Sequence, residues 1–231
     1  MRGKLYGIGT GPGDPELLTI KAVNTIKECD VIAAPEPEGG DTTALQIVEE
    51  YLGGKELLGC RFVMSHDIAK RRESRRNVAS DIIGTLEKGK DVGFITLGDP
   101  TTYSTFMYIH AIVAGEGFET EIIPGVTSYA AAAAALGTAL CEGEETLTLI
   151  PAGHGGELDE LLARPGNKVI MKAGRNLDNV LQKLKDSGYG DRTMIVSRAA
   201  MDGQRLYTSI EEYEKSPEPG YFTLTIVKER S

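Results

Sequence analysis

Residues 7–15, Gly7-Ile8-Gly9-Thr10-Gly11-Pro12-Gly13-Asp14-Pro15, close an apolar run that begins at Lys4. Glycine at every second position and two prolines forbid a regular element from continuing through the segment. The chain must therefore turn at the end of a strand, where α/β sheets place their ligands. A second Gly-Asp-Pro, at Gly98-Asp99-Pro100, closes the apolar run Val92 to Leu97. Two loops of different sequence at one topological position imply a bipartite small-molecule site.

The glycine run is not a nucleotide motif. A dinucleotide fingerprint requires glycine at the sixth place of G-x-G-x-x-G, which is Pro12 counted from Gly7 and Asp14 counted from Gly9. A P-loop requires Gly-Lys followed by Ser or Thr, whereas the Gly-Lys pairs here precede Leu5, Glu56 and Asp91. Asp14 would also repel a phosphate. A plain tight turn, with Pro15 opening a helix from Glu16 to Cys29, explains this loop taken alone.

Strand-like runs at Lys4 to Gly9, Val31 to Ala34, Val92 to Leu97 and Glu121 to Ile123 alternate with helical stretches at Glu16 to Cys29, Thr43 to Leu52, Ile68 to Lys88 and Thr102 to Ala114. Asp41 can cap the second helix, and Gly53-Gly54, Gly89 and Gly115 follow the second, third and fourth. This alternation predicts a mostly parallel sheet. Pro124-Gly125-Val126-Thr127-Ser128 then leads into the alanines 130–135, with Thr127 or Ser128 placed to cap a helix. Beyond it, strands at Thr146 to Ile150, Lys168 to Lys172, Thr193 to Ser197, Gln204 to Ser209 and Tyr221 to Lys228 are joined by shorter helices, Leu158 to Leu162 and Leu177 to Ser187. The last strands lack a crossover helix, so this second sheet is expected to be mixed. The expected architecture is two α/β domains, 1–124 and 125–231, with a ligand cleft between them.

The formal net charge of −9 argues against nucleic acid and an anionic membrane surface as partners. No run approaches the ~20 apolar residues of a membrane span, and the opening Met1-Arg2-Gly3-Lys4 is unlike a signal peptide, so a cytoplasmic location is expected. Cys29, Cys60 and Cys141 are isolated, and His66, His110 and His154 are scattered, so no protein-bound metal is expected. Against this acidity, Lys70-Arg71-Arg72-Glu73-Ser74-Arg75-Arg76 carries five cations in seven residues. A solvated helix face explains the cluster as readily as a clamp for a polycarboxylate.

In order and spacing, Gly7 to Pro15 with Leu17-Leu18-Thr19, Asp30-Val31-Ile32, Gly98-Asp99-Pro100 and Ile123-Pro124-Gly125-Val126-Thr127-Ser128 resemble the tetrapyrrole (corrin/porphyrin) methylases across the whole chain. Within them, Arg72-Glu73-Ser74-Arg75, residues 95–106 and Val196-Ser197-Arg198-Ala199 are most similar to the C(20)-methyltransferases that act on precorrin-2 or its cobalt form in cobalamin synthesis. Uroporphyrinogen III methylases carry an aspartate after the second strand where this chain has Ala33-Ala34-Pro35-Glu36. The resemblance implies S-adenosyl-methionine as methyl donor, a tetrapyrrole substrate and a homodimer. It assigns Pro12, Leu97, Gly98, Asp99, Thr102, Thr127, Ser128, Met171, Ala199 and Thr225 to the cofactor. The substrate's eight carboxylates would need cations, for which Arg71, Arg72, Arg75, Arg76 and Arg198 are the candidates.

Methyl transfer from a sulfonium to an electron-rich bridging carbon asks the protein chiefly for alignment and exclusion of water. No residue declares itself as a base. Rival readings are a methylase of another tetrapyrrole carbon or of diphthamide, and a non-catalytic module that only binds S-adenosyl-methionine.

Overall fold

The computed structural model describes residues 2–36, 43–63, 65, 67–153, 158–218 and 220–229. Asp41, His66 and His154 lie outside the described residues. Its internal contacts divide the chain into two units, Met1–Thr127 and Ser128–Ser231.

In the first unit, β1 (Leu5–Gly9), β2 (Val31–Pro35), β3 (Glu56–Cys60), β4 (Val92–Thr96) and β5 (Thr120–Ile123) form a sheet in the order β3-β2-β4-β1-β5. Every pairing in it is parallel. The central strands β1, β2 and β4 are buried on both faces, which is why they read as unbroken apolar runs. Helices α1 (Ile20–Glu28) and α2 (Thr43–Val48) pack with Ile8, Ile32 and Ile95 on one face. Helices α3 (Ile68–Leu86) and α4 (Phe106–Gly115) pack with Leu5, Ala33 and Phe94 on the other. Right-handed crossovers dictate this division, because the chain steps one way across the sheet through α1 and α2 and returns through α3 and α4. Adjacent strands β1 and β4 therefore send their connections in opposite directions. That reversal is the topological switch point, and the two Gly-Asp-Pro loops leave it.

Three local readings need correction. The helix expected from Glu16 is a single 3-10 turn, Pro15–Leu17, capped by Asp14, followed by a restart at Ile20. Thr19 enforces the restart, since its extended backbone lets its hydroxyl accept from Ala22 N at 3.1 Å. The helix expected from Thr102 begins only at Phe106, because Tyr103 is left-handed and Ser104 Oγ accepts from Phe106 N at 3.1 Å. Strand β3 had not been expected. It lies at the sheet edge with most of its residues exposed, so no hydrophobic alternation marks it.

The second unit opens with α5 (Ser128–Leu136). Strands β6 (Leu147–Pro151), β7 (Asn167–Met171), β8 (Thr193–Ser197), β9 (Arg205–Tyr207) and β10 (Thr223–Val227) follow, with α6 (Leu158–Leu162), α7 (Leu177–Asp186) and α8 (Ile210–Lys215) between them. The sheet order is β6-β7-β10-β8-β9. Only β6 and β7 pair in parallel, so this sheet is mixed as expected. Alternation divides its core in two. Val169, Val196, Leu224 and Ile226 face Ala132 and Ala133 of α5, whereas Ile170, Ile195 and Val227 face α6, α7 and α8.

Candidate functional site

In the first unit, the loops after β1, β4 and β5 meet backbone to backbone. Gly11 and Gly98 form an isolated antiparallel bridge, with Gly98 N donating to Gly11 O at 2.7 Å and Gly11 N to Gly98 O at 3.2 Å. Both glycines hold φ of +74°, a region in which a side chain is strained. A Cβ on Gly9 would lie 2.6 Å from Gly125 N, and one on Gly125 would lie 2.2 Å from Gly98 O. Only glycine allows three strand ends to approach this closely. The cofactor residues implied by the resemblance include Gly98 but not Gly9 or Gly125, although a strand-end glycine recurs after β1, β4 and β5 as the signal.

Asp99 ties these loops together and is 9% exposed. One carboxylate oxygen accepts from Gly125 N at 3.0 Å. The other accepts from Thr101 N at 2.8 Å and from the Thr101 hydroxyl. Both oxygens thus engage the protein's own donors. Thr96 Oγ1 and Ser104 Oγ, 2.9 Å apart, fasten the same loop to its strand. Pro12 is buried, while Leu97, Gly98, Thr102 and Thr127 are partly exposed on the loops so joined. Asp14 belongs to the turn: its carboxylate accepts from Glu16 N at 2.8 Å.

In the second unit, β7 and β8 both run antiparallel to β10, so the loops that follow them share one sheet edge. Met171 and Ala199 pack in the cluster that faces α5, the helix that Ser128 opens. Thr225 does not join them. It pairs with Ile170 and Ile195, so alternation turns it to the opposite face, where its hydroxyl is buried without a hydrogen-bond partner. Arg198 Nε donates to Asp202 O at 2.7 Å, which folds that side chain onto its own loop.

Backbone strain gathers on the same loops. Among the described residues, the non-glycine positions with positive φ are Tyr103 (53°), Lys172 (55°), Arg198 (56°) and Ala200 (56°). They follow β4, β7 and β8, and each costs roughly 1–2 kcal/mol. Such strain persists where the surroundings over-determine a functional conformation.

The expected clamp of four arginines divides in two. Helix α3 leads into β4 and runs against the strands, so its amino end stands at the same sheet edge as the loops. Arg72 and Arg76 lie exposed on its solvent stripe beside Ile68, Glu73 and Asn77. Arg71 and Arg75 instead continue the stripe that buries Ser74, Val78 and Ile82. The Arg75 guanidinium lies 3.4 Å from the ring centre of Tyr108 on α4, and Arg71 Nε is buried without a hydrogen-bond partner. No ion pair among the described residues includes any of the four. The described residues also hold no cluster of metal-ligating side chains. Nor is any of their helices long and apolar enough to cross a membrane.

Residues 4–214 match the family model described as Tetrapyrrole (Corrin/Porphyrin) Methylases, and this chain belongs to that family. Among its relatives, the cobalt-precorrin-2 C(20)-methyltransferase of Salmonella typhimurium is 33% identical, over 100% of this chain and 98% of that protein. The precorrin-2 C(20)-methyltransferase of a Sinorhizobium species is 32% identical, over 97% and 95%. Solved structures share the fold. A cobalt precorrin-4 methyltransferase matches with a TM-score of 0.78 at 22% identity, over 97% of this chain and 94% of that one. Uroporphyrin-III C-methyl transferase from Thermus thermophilus, complexed with S-adenyl homocysteine, matches with a TM-score of 0.75 at 22% identity, over 98% of each chain.

Proposed function

We propose that this protein transfers a methyl group from S-adenosyl-methionine to the C(20) bridging carbon of precorrin-2 or its cobalt form. The observation that carries this reading is full-length similarity to the cobalt-precorrin-2 C(20)-methyltransferase of Salmonella typhimurium and to a probable one of Methanocaldococcus jannaschii, each at 33% identity. A local feature agrees. At the end of β2, Ala33 and Ala34 are buried and the Glu36 carboxylate accepts from Arg61 Nε at 3.1 Å, so no free aspartate of the uroporphyrinogen type stands there.

The residues present fit the methyl donor. A Cβ on Gly98 would meet nothing within 4 Å, so open space lies beside this loop. Pro12 and Leu97 add apolar surface, and the hydroxyls of Thr102, Thr127 and Ser128 add donors. When bound, S-adenosyl-methionine supplies a methyl group already activated on a cationic sulfur. The protein's part is then to fix the reacting atoms in line and keep water away. Asp99 serves this indirectly in our reading: both its oxygens are taken by backbone and hydroxyl donors, so it holds Gly125 against Gly98 and does not act as a base.

Incubation with a methyl-labelled donor and precorrin-2, with and without cobalt, should add one labelled methyl to the tetrapyrrole. Labelling of uroporphyrinogen III in its place would overturn the assignment. Donor-product binding without transfer to any tetrapyrrole would favour a non-catalytic module.

A further inference from the structure

Two of the arginines sit where a helix should be apolar. Positions 71, 74, 75, 78 and 82 follow the i, i+3, i+4, i+7 rule along the face of α3 that buries Val78 and Ile82. Both are half-buried there, and a cation partly withdrawn from water normally finds an acid, because an unpaired charge or an unsatisfied donor away from solvent is costly. None is supplied among the described residues. Arg71 Nε is sealed from solvent with no acceptor, and Arg75 is held by the ring of Tyr108, which is itself 50% exposed. Ser74 stiffens the ledge from below: its hydroxyl donates to Arg61 O at 3.1 Å and accepts from Val63 N at 3.0 Å. Stacking occupies one face of the Arg75 guanidinium and leaves its N–H edge free for a carboxylate.

We infer that Arg71 and Arg75, with Tyr108 as their support, form a preformed ledge that binds carboxylate groups of the tetrapyrrole substrate. This deepens the proposed function and rests on it for the substrate's identity. The missing acid is then brought by the substrate to the partly exposed guanidinium groups, and the sealed Nε of Arg71 is the cost of holding that side chain in place. Arg72 and Arg76 point to solvent and are dispensable by comparison. A purely structural role predicts the opposite, since structural arginines find their acceptors within the fold.

The test uses the full chain and two readouts, the KM for precorrin-2 in methyl transfer and the quenching of uroporphyrin fluorescence as a binding probe that needs no turnover. Arg71→Gln with Arg75→Gln should weaken both by about 30-fold or more, leaving S-adenosyl-homocysteine affinity within about twofold. The charge-matched control Lys70→Gln with Lys88→Gln should change neither by more than about threefold. Arg71→Met should raise the melting temperature by about 2–4 °C while losing tetrapyrrole affinity, because it removes an unsatisfied donor. Unchanged tetrapyrrole binding in the double variant would overturn the ledge. So would a larger loss from Arg72→Gln with Arg76→Gln, or destabilisation by Arg71→Met. Failure of the wild type to methylate precorrin-2 while it binds uroporphyrin through these arginines would refute the proposed activity and leave the ledge standing.

Discussion

Gly125→Ala tests whether backbone contact among three strand ends builds the site. The added Cβ would lie 2.2 Å from Gly98 O and 2.9 Å from Gly9 Cα. Both neighbours are main chain and cannot swing aside. An ordinary contact needs roughly 1 Å more, so the segment after β5 must move by about that distance. Overpacking of this kind costs about 1–3 kcal/mol. The shift also strains the hydrogen bond from Gly125 N to Asp99, whose charged acceptor makes it one of the stronger ones. A total near 3 kcal/mol in urea unfolding is expected. A ~1 Å misplacement of a positioning loop can lower turnover by about 10²-fold. Gly84→Ala is the internal control. Gly84 lies within α3 with nothing near its Cβ, so alanine there should stabilise by about 0.5–1 kcal/mol through helix propensity. Paired urea titrations and methyl-transfer rates read both effects. If Gly125→Ala unfolded within about 0.5 kcal/mol of wild type with an unchanged rate, the close-packed glycine account would be refuted.

Gly98→Ala separates stability from binding. Its Cβ meets open space, so only the left-handed backbone is penalised, by about 1 kcal/mol, yet calorimetry should show S-adenosyl-homocysteine affinity falling about tenfold or more; equal affinity would remove Gly98 from the site. Glu121 accepts from Lys21 Nζ at 2.5 Å and from Lys4 Nζ at 2.8 Å, and these ammonium groups hold its pKa down to about 2. A folded-state pKa below the ordinary value of 4.5 gives stability that is present above that value and lost as pH falls towards 2. Glu121→Gln should therefore flatten the fall in melting temperature between pH 5 and pH 2, and an unaltered acid limb would contradict the pairing. Burial pushes the Cys29 and Cys60 thiols up to about 12, whereas Cys141 is exposed. Native protein at pH 8 should show one fast thiol towards a disulfide reagent, and three fast thiols would mean that the first unit opens readily.

What the sequence revealed follows from where its signals were local. The loops after β1 and β4 were readable because glycine and proline punctuate the ends of apolar runs. The sequence marks Gly125 as a domain boundary and as part of the Ile123–Ser128 motif, but its contact with Gly9 and Gly98, far away in the chain, is a close backbone approach with no local signature. Strand β3, outermost and exposed, lacked alternation, and α8 was missed although Ser209-Ile210-Glu211-Glu212 carries a capping pattern, with Ser209 Oγ accepting from Glu212 N at 3.1 Å. The arginines of α3 were read by density. Reading them by helical period would have placed Arg71 and Arg75 on the stripe of Val78 and Ile82, apart from Arg72 and Arg76. Thr225 was aligned by family position, and strand alternation turned it away from Met171.

The central claim is methylation of one particular bridging carbon. Carbon-13 NMR of the product formed from precorrin-2 and methyl-labelled S-adenosyl-methionine tests it most directly. A C(20)-methyltransferase yields a single enriched methyl whose coupling places it on C(20), with the C(20) proton lost. Enrichment at another ring carbon, or an unlabelled tetrapyrrole recovered from enzyme that binds S-adenosyl-homocysteine, would contradict it.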